Sequence, residues 1–241
     1  MHALIKYNND NKITNLIELA QSNLQTPIIL FEINLNHDKK KCEDELFRII
    51  CEKDKFNQYD SMILIYITDI FDFTASFVNK IKNHFNFVAG YGGLNKINRF
   101  FIENTKIDCI IDPHNSTFQK KHDFIHHFNS GINHILAKIA NEKHICFINS
   151  LNFIDEKKKD FKDFSRINQN IKLFYKYNLD FTIEYLIDNQ SYIKSEKDLF
   201  YIKQLFNIKN DKINTDVILD RMYENIKTRN NEKIKAGIKI L

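Results

Sequence analysis

Glycine and proline are scarce in this chain, with five glycines and two prolines among 241 residues. So few chain-breaking residues leave no room for a low-complexity linker, and no Pro-, Gly- or Ser-rich boundary divides the sequence. Cysteine is sparse as well. Cys42, Cys51, Cys109 and Cys146 have no CxxC spacing and sit in or beside apolar runs. That pattern argues against a disulfide framework or a zinc site and fits buried free thiols in a reducing cytoplasm. No stretch reaches the roughly 18 uninterrupted apolar residues that a membrane span requires, and the N-terminus has no apolar segment of signal-peptide type. The expectation is a soluble, cytoplasmic protein with no membrane partner. A dominant charge is also missing: 35 Lys and Arg stand against 31 Asp and Glu, a formal charge of +4. Such a balance is compatible with nucleic acid without pointing to it.

What is present is a large apolar fraction, 43% against 27% charged, which is enough for a substantial core. Asn, Ile, Lys and Phe are abundant, a bias of the kind an AT-rich genome imposes. Apolar runs without alternation recur along the chain, at residues 3–7, 28–33, 62–67, 85–89, 107–111, 145–148 and 181–186, with a terminal run at 238–241. Between them lie segments with helical spacing: from Ile13 to Ala20, around Leu46, Ile49 and Ile50, and over 75–84, 94–103, 132–143, 164–177, 196–206 and 217–226. Asn178 is placed as a left-handed cap after the helix ending at Tyr177. Lys39, Lys40 and Lys41 read as a solvated helix face. Strands without alternation are covered on both sides and belong to a parallel sheet flanked by helices. Seven or eight strand–helix alternations in this length suit a barrel better than an open sheet. Residues 1–241 are therefore expected to form one α/β domain, a (β/α) TIM-like barrel.

The segment GYGGLNKINR at 90–99 is the most informative stretch. An apolar run ends in Gly90, Gly92 and Gly93, and a helix pattern starts at once. Gly90 and Gly92 do not open a dinucleotide fingerprint, because Asn95 stands where the third glycine belongs, and Lys96 lacks the P-loop spacing. What remains is a tight strand-to-helix turn, either purely structural or touching a phosphate through backbone N–H groups. Asn98 falls in the middle of the apolar stripe Leu94, Ile97, Phe101 and Ile102. A buried amide needs partners, so Asn98 is expected to bond backbone groups of the glycine turn or of the next strand end. Arg99 lies off the stripe, near the barrel rim, as a surface salt bridge or a nucleic-acid contact. In helix 131–143 the positions Ile132, Ile135, Leu136, Ile139 and Ala140 form one buried face. His134, Lys138 and Asn141 align opposite at i, i+4 and i+7, a wet face or a row for phosphate oxygens.

Metal and nucleophile signatures are lacking. His122 and His126 are spaced i, i+4 with His127 beside them in the His-rich loop 114–130, but there is no HExxH and no His-x-His strand. No Gly-x-Ser-x-Gly elbow occurs. Asp112 stands at the C-terminal end of a strand, where barrel enzymes place catalytic groups, without an identifiable partner.

On these residues the sequence resembles the archaeal ribonuclease P protein component 3 family, homologues of the thirty-kilodalton subunit of eukaryotic ribonuclease P. Gly92, Gly93, Asn98 and Arg99 match its two glycines followed by an Asn–Arg pair. The block GINHILAKIANEKHI, with Gly131, Asn133, His134, Leu136, Ala137 and Lys138, is similar to its helix and following strand. Ile193, Lys194, Ser195, Asp198 and Leu199 resemble its basic-Ser-Pro-basic-Asp-Leu segment, and KAGIKIL at 235–241 its final strand. The likeness is concentrated from Phe87 to Ile154, patchy over the last third, and only one of element order in the first 80 residues. Leu94 departs from an acidic residue, Ala236 from a proline, the loop from Asn115 to Ser130 is longer, and Lys194 and Lys197 replace arginines. Lysine keeps the charge but loses the bidentate fork, which preserves phosphate contact better than base recognition.

The resemblance implies a barrel related to metal-dependent hydrolases without their metal ligands. It implies a non-catalytic polypeptide that binds and stabilises ribonuclease P RNA, with no cofactor of its own. The RNA would use Mg²⁺ to remove 5′ leaders from precursor tRNA, and a small ferredoxin-like protein would be the partner subunit. On this reading Arg99, His134, Lys138, Lys194 and Lys197 are the expected RNA contacts, and Gly90, Gly92, Gly93 and Asn98 form a structural turn. The competing expectation from the fold alone is a barrel hydrolase of a small phosphorylated substrate.

Overall fold

The computed structural model describes residues 2–7, 12–115, 123, 128–152, 161–189, 193, 195–208, 218–224 and 227. Strands and helices alternate: β1 (His2–Lys6), α1 (Lys12–Ser22), β2 (Thr26–Asn34), α2 (Lys39–Lys53), β3 (Asp60–Tyr66), α3 (Thr74–Ile81), β4 (Phe87–Tyr91) and α4 (Asn95–Asn104). Then come β5 (Cys109–Ile111), α5 (His134–Glu142), β6 (Cys146–Ser150), α6 (Phe161–Lys176), β7 (Phe181–Glu184), β8 (Leu186–Ile187) and α7 (Glu196–Leu205). A last described helix, α8, spans 218–224. All strand pairs are parallel, in the order β7-β6-β5-β4-β3-β2-β1-β8. β7 and β8 are separated by Tyr185 alone. The first half of this bent segment bonds β6 (Ser150 opposite Glu184), and the second half bonds β1 (Leu4 opposite Leu186). One kinked strand thus joins the two edges of the sheet and closes it into a TIM-like barrel, which leaves no open edge. The sequence reads 181–186 as one strand; the break at Tyr185 is what lets it serve both neighbours.

Alternate residues of each strand feed two cores. Leu4, Ile28, Leu30, Met62, Leu64, Phe87, Ala89, Cys109, Cys146 and Ile148 pack together inside the barrel, joined by Ile218, Leu219 and Met222 of α8. The opposite faces, with Ile5, Ile29, Phe31, Ile63, Val88, Ile110, Phe147 and Ile183, pack under the surrounding helices. Phe147 of β6 stacks on Phe174 of α6 with ring centroids 4.5 Å apart; burying one such ring contributes about 2–3 kcal/mol. Helix α8 closes the N-terminal end of the barrel. Its Tyr223 meets Phe87 edge-on at 4.9 Å and bonds Asp60, while Arg221 reaches Asp180, all at or just before strand starts.

Several local expectations hold for physical reasons, and others shift. Asn178 has φ 53, and Leu179 N–H returns to Phe174 C=O at 3.0 Å, the left-handed helix cap expected there. The lysine run at 39–41 is exposed in the first turn of α2, behind the N-cap Asp38. Strand β4 runs to Tyr91, so Gly90 is a strand residue rather than part of the turn. Ile135 is 55% exposed, because α5 buries Leu136, Ala137 and Ala140 and turns Ile135 outward beside His134. Cys42, Cys109 and Cys146 are buried free thiols, but Cys51 is exposed on α2. The terminal strand expected at 238–241 lies outside the described residues. Among the described residues no helix is long and apolar enough to cross a membrane.

Candidate nucleic-acid interface

Gly90 at the end of β4 and Gly92 and Gly93 in the β4–α4 turn have different tasks, none of them positive φ. A Cβ on Gly90 would lie 2.7 Å from the ring of Phe101. One on Gly92 would lie 2.4 Å from Pro113 Cα and 2.7 Å from Asp112 O. Gly92 therefore lets two strand-end backbones touch, and its N–H donates to Ile111 C=O at 2.6 Å. Gly93 has room around its Cα and serves through its backbone.

Asn98 is fully buried in the second turn of α4. Its Oδ1 accepts the Gly93 N–H at 3.0 Å. Its Nδ2 donates to Pro113 C=O and Gly131 C=O, each at 2.9 Å, with Gly93 C=O at 3.3 Å. One amide thereby ties the β4–α4 turn, the segment after β5 and the approach to α5. This is the partner set expected for a polar residue in an apolar stripe, and it satisfies the amide's bonding capacity. Gly131 has φ 84, a left-handed conformation that only glycine adopts without strain. Asn133 then caps α5 by accepting the Leu136 N–H at 2.9 Å.

The brace fixes two outward helix faces. Helices α4 and α5 pack together, and Lys143 Nζ donates to the carbonyls of Ile102 and Glu103, each at 2.7 Å, at the C-terminal end of α4. Arg99 is exposed, and its Nε donates to both oxygens of Glu103 at 2.9 Å. That hydrogen bond and charge push the guanidinium pKa further up. His134, Lys138 and Asn141 are exposed along α5. Arg99 and the α5 row thus occupy adjacent helices. Lys197 is exposed in the first turn of α7, apart from them, and Lys194 lies outside the described residues.

Some residues of this region were not legible as site residues. Asp112, expected without a partner, accepts from Ser150 N–H at 2.6 Å and from Ser150 O–H at 2.5 Å, at the end of the neighbouring strand. Burial pushes its pKa from 3.8 up to about 6, opposed by the Ser150 bonds and the charge of Lys6. Arg166 of α6 is 3% exposed and bonds Asp163 and Asp123, each at 2.8 Å. With Asn170 Nδ2 donating to Ser130 C=O at 3.0 Å, it anchors the chain entering α5. The Asp163 partner is local, three residues before Arg166, but nothing in the sequence marks Asp123, which is far upstream. By contrast, Ser195 and Asp198 form a capping box on α7 whose Ser-x-x-Asp spacing is plain in the sequence. Among the described residues no three His, Cys, Asp or Glu side chains cluster as metal ligands. His122, His126 and His127 lie outside the described residues.

The architecture defines the class: a closed parallel (β/α) barrel with one end plugged by a helix and polar groups gathered at the other. No family model and no curated protein sequence matches the chain. Among solved structures it is similar to a chain in the cryo-EM structure of archaeal Ribonuclease P with mature tRNA. The TM-score is 0.62 at 19% identity, over 94% of this chain and 90% of that one. At that identity the likeness establishes a shared fold.

Proposed function

We propose that this chain is a protein subunit of ribonuclease P, the counterpart of archaeal protein component 3, which binds and stabilises the RNA that removes 5′ leaders from precursor tRNA. The observation that carries this reading is a coincidence of motif and fold. The residues that resemble the family, Gly92, Gly93, Asn98 and Gly131, are the ones that build the brace under α4 and α5. They do so on a barrel similar, over nearly its whole length, to a chain of an archaeal ribonuclease P–tRNA assembly. In this reading Arg99, His134 and Lys138 meet phosphate oxygens from the two braced helices, with Lys194 and Lys197 as a separate contact. Mg²⁺ and the cleavage chemistry belong to the RNA, and a small ferredoxin-like subunit is the protein partner.

The test is reconstitution with the RNA and the remaining protein subunits, with and without this chain. Cleavage of precursor tRNA is expected to need the chain most at low Mg²⁺. Arg99→Ala combined with Lys138→Ala should lower that activity and flatten the salt dependence of RNA binding by roughly one to two in log–log slope. Equal cleavage without the chain refutes the subunit role. An unchanged slope in the double variant removes these two residues from the interface.

A further inference from the structure

The layer between β6 and α6 is apolar toward the N-terminal end of the barrel and polar toward the other end. Phe147 and Phe174 stack in its apolar part, and α6 runs antiparallel to β6, as a helix returning to start the next parallel strand must. Two residues further along the same outward face of β6 stands Asn149, and one helical turn back along α6 stands Asn170. Two strand residues and one helical turn each advance about 6 Å, so the two amides lie level with each other beside the aromatic stack. Both are 0% exposed.

Their hydrogen bonding is incomplete. Asn170 Nδ2 donates to Ser130 C=O at 3.0 Å, but its Oδ1 accepts from no group among the described residues. Asn149 is bonded at neither Oδ1 nor Nδ2. A buried amide with both ends unbonded is rare in a folded protein and costly in an apolar layer. Asn98, equally buried, is by contrast bonded at each end. The two amides do not bond each other, although Asn149 Nδ2 is a donor and Asn170 Oδ1 an acceptor. A partner between them would complete both.

The unfilled groups select that partner. Asn149 Oδ1 and Asn170 Oδ1 require donors, and Asn149 Nδ2 requires an acceptor. A metal cation would find two neutral oxygens where it needs a full oxygen shell. An anion would find a single N–H beside two oxygens, and an apolar group would satisfy none of the three. A water molecule donates twice and accepts once, which gives the three hydrogen bonds typical of a buried water. Turning the Asn149 amide over exchanges its ends without altering that count. We infer that the β6–α6 layer is the binding site of an internal water that bridges Asn149 to Asn170. Asn170 holds Ser130, and the next residue, Gly131, accepts from Asn98. The bridge thus extends the brace under α5 from α4 across α6 to β6. It stands on the fold alone and does not depend on the ribonuclease P reading.

Nuclear Overhauser spectroscopy of the full-length protein tests the site in solution. Cross-peaks from the water signal to the side-chain NH2 protons of Asn149 and Asn170 are expected, with the sign of a water held far longer than surface hydration. In Asn149→Leu, which keeps the volume without the polar atoms, the Asn170 cross-peak is expected to be lost. A high-resolution crystal structure of the parent should show one ordered water about 3 Å from Asn149 and from Asn170 Oδ1. That reading stands even if the leucine variant does not fold. Missing cross-peaks in the parent, a direct Asn149–Asn170 hydrogen bond in the crystal, or an Asn170 cross-peak that survives in folded Asn149→Leu overturns the inference.

Discussion

Removing the Asn98 side-chain amide tests the brace from which both candidate RNA helices project. Asn98→Ala deletes two hydrogen bonds of 2.9 Å to Pro113 and Gly131 carbonyls and one of 3.0 Å from the Gly93 N–H. Each bond contributes about 1 kcal/mol net, and each buried partner left unsatisfied costs about 1–3 kcal/mol. Alanine also leaves a small void at a fully buried position. Some of the stranded carbonyls will find water at the strand ends, so the expected loss is about 3–5 kcal/mol rather than the full sum. Asn98→Asp separates shape from bonding: it keeps the volume and the Gly93 contact but turns a donor toward two carbonyls into an acceptor. Its penalty should therefore match or exceed that of alanine at neutral pH and shrink once the carboxyl is protonated. Urea unfolding followed by far-ultraviolet circular dichroism measures both. A loss below about 1 kcal/mol for Asn98→Ala would refute the reasoning, because it would mean that the three segments hold their places without the amide.

Three further outcomes follow from other parts of the site. Asp112→Asn should change the pH profile of stability: the folded-state pKa of Asp112 is raised from 3.8 to about 6, so the native protein loses stability as pH rises through that window. The neutral variant escapes the loss and should gain about 3 kcal/mol relative to the parent between about pH 4 and 7, read from urea midpoints across pH. Gly92→Ala should destabilise by about 2–3 kcal/mol, because its Cβ meets backbone of Pro113 and Asp112, and Gly90→Ala should also destabilise, by about 1–3 kcal/mol, because the fully buried Phe101 ring would have to repack. Glu103→Gln should leave thermal stability within about 0.5 kcal/mol, since the Arg99 pair is on the surface, and should raise RNA affinity in a filter-binding assay by releasing the guanidinium.

The barrel was legible because its strands lack alternation, and Asn98 because a polar residue interrupts an apolar helical stripe. Both signals are local. The partners are not: Pro113 and Gly131 come from segments 15 and 33 residues further on, and only closure of the sheet brings them to one amide. For the same reason the Asp112–Ser150 contact leaves no local signal, as it joins the ends of β5 and β6 across 38 residues. Ile135 departs from the expected buried face because a nine-residue helix buries a narrow face, so that its second residue turns outward despite being apolar. Tyr66 lies inside the apolar run 62–67 and Tyr91 in the glycine segment after the run 85–89, so nothing local links them; strand pairing alone sets their rings together. Burial and the neighbouring Glu32 carboxylate then push the Tyr66 phenol pKa up, keeping it a hydrogen-bond donor.

The ribonuclease P assignment is tested most directly by affinity purification of the tagged chain from its native host, followed by sequencing of the RNA that travels with it and a precursor-tRNA cleavage assay on the eluate. The account predicts one dominant structured RNA and 5′-leader removal that survives washing and is lost on RNA digestion. A chain that elutes without such an RNA and without leader-removing activity would contradict it.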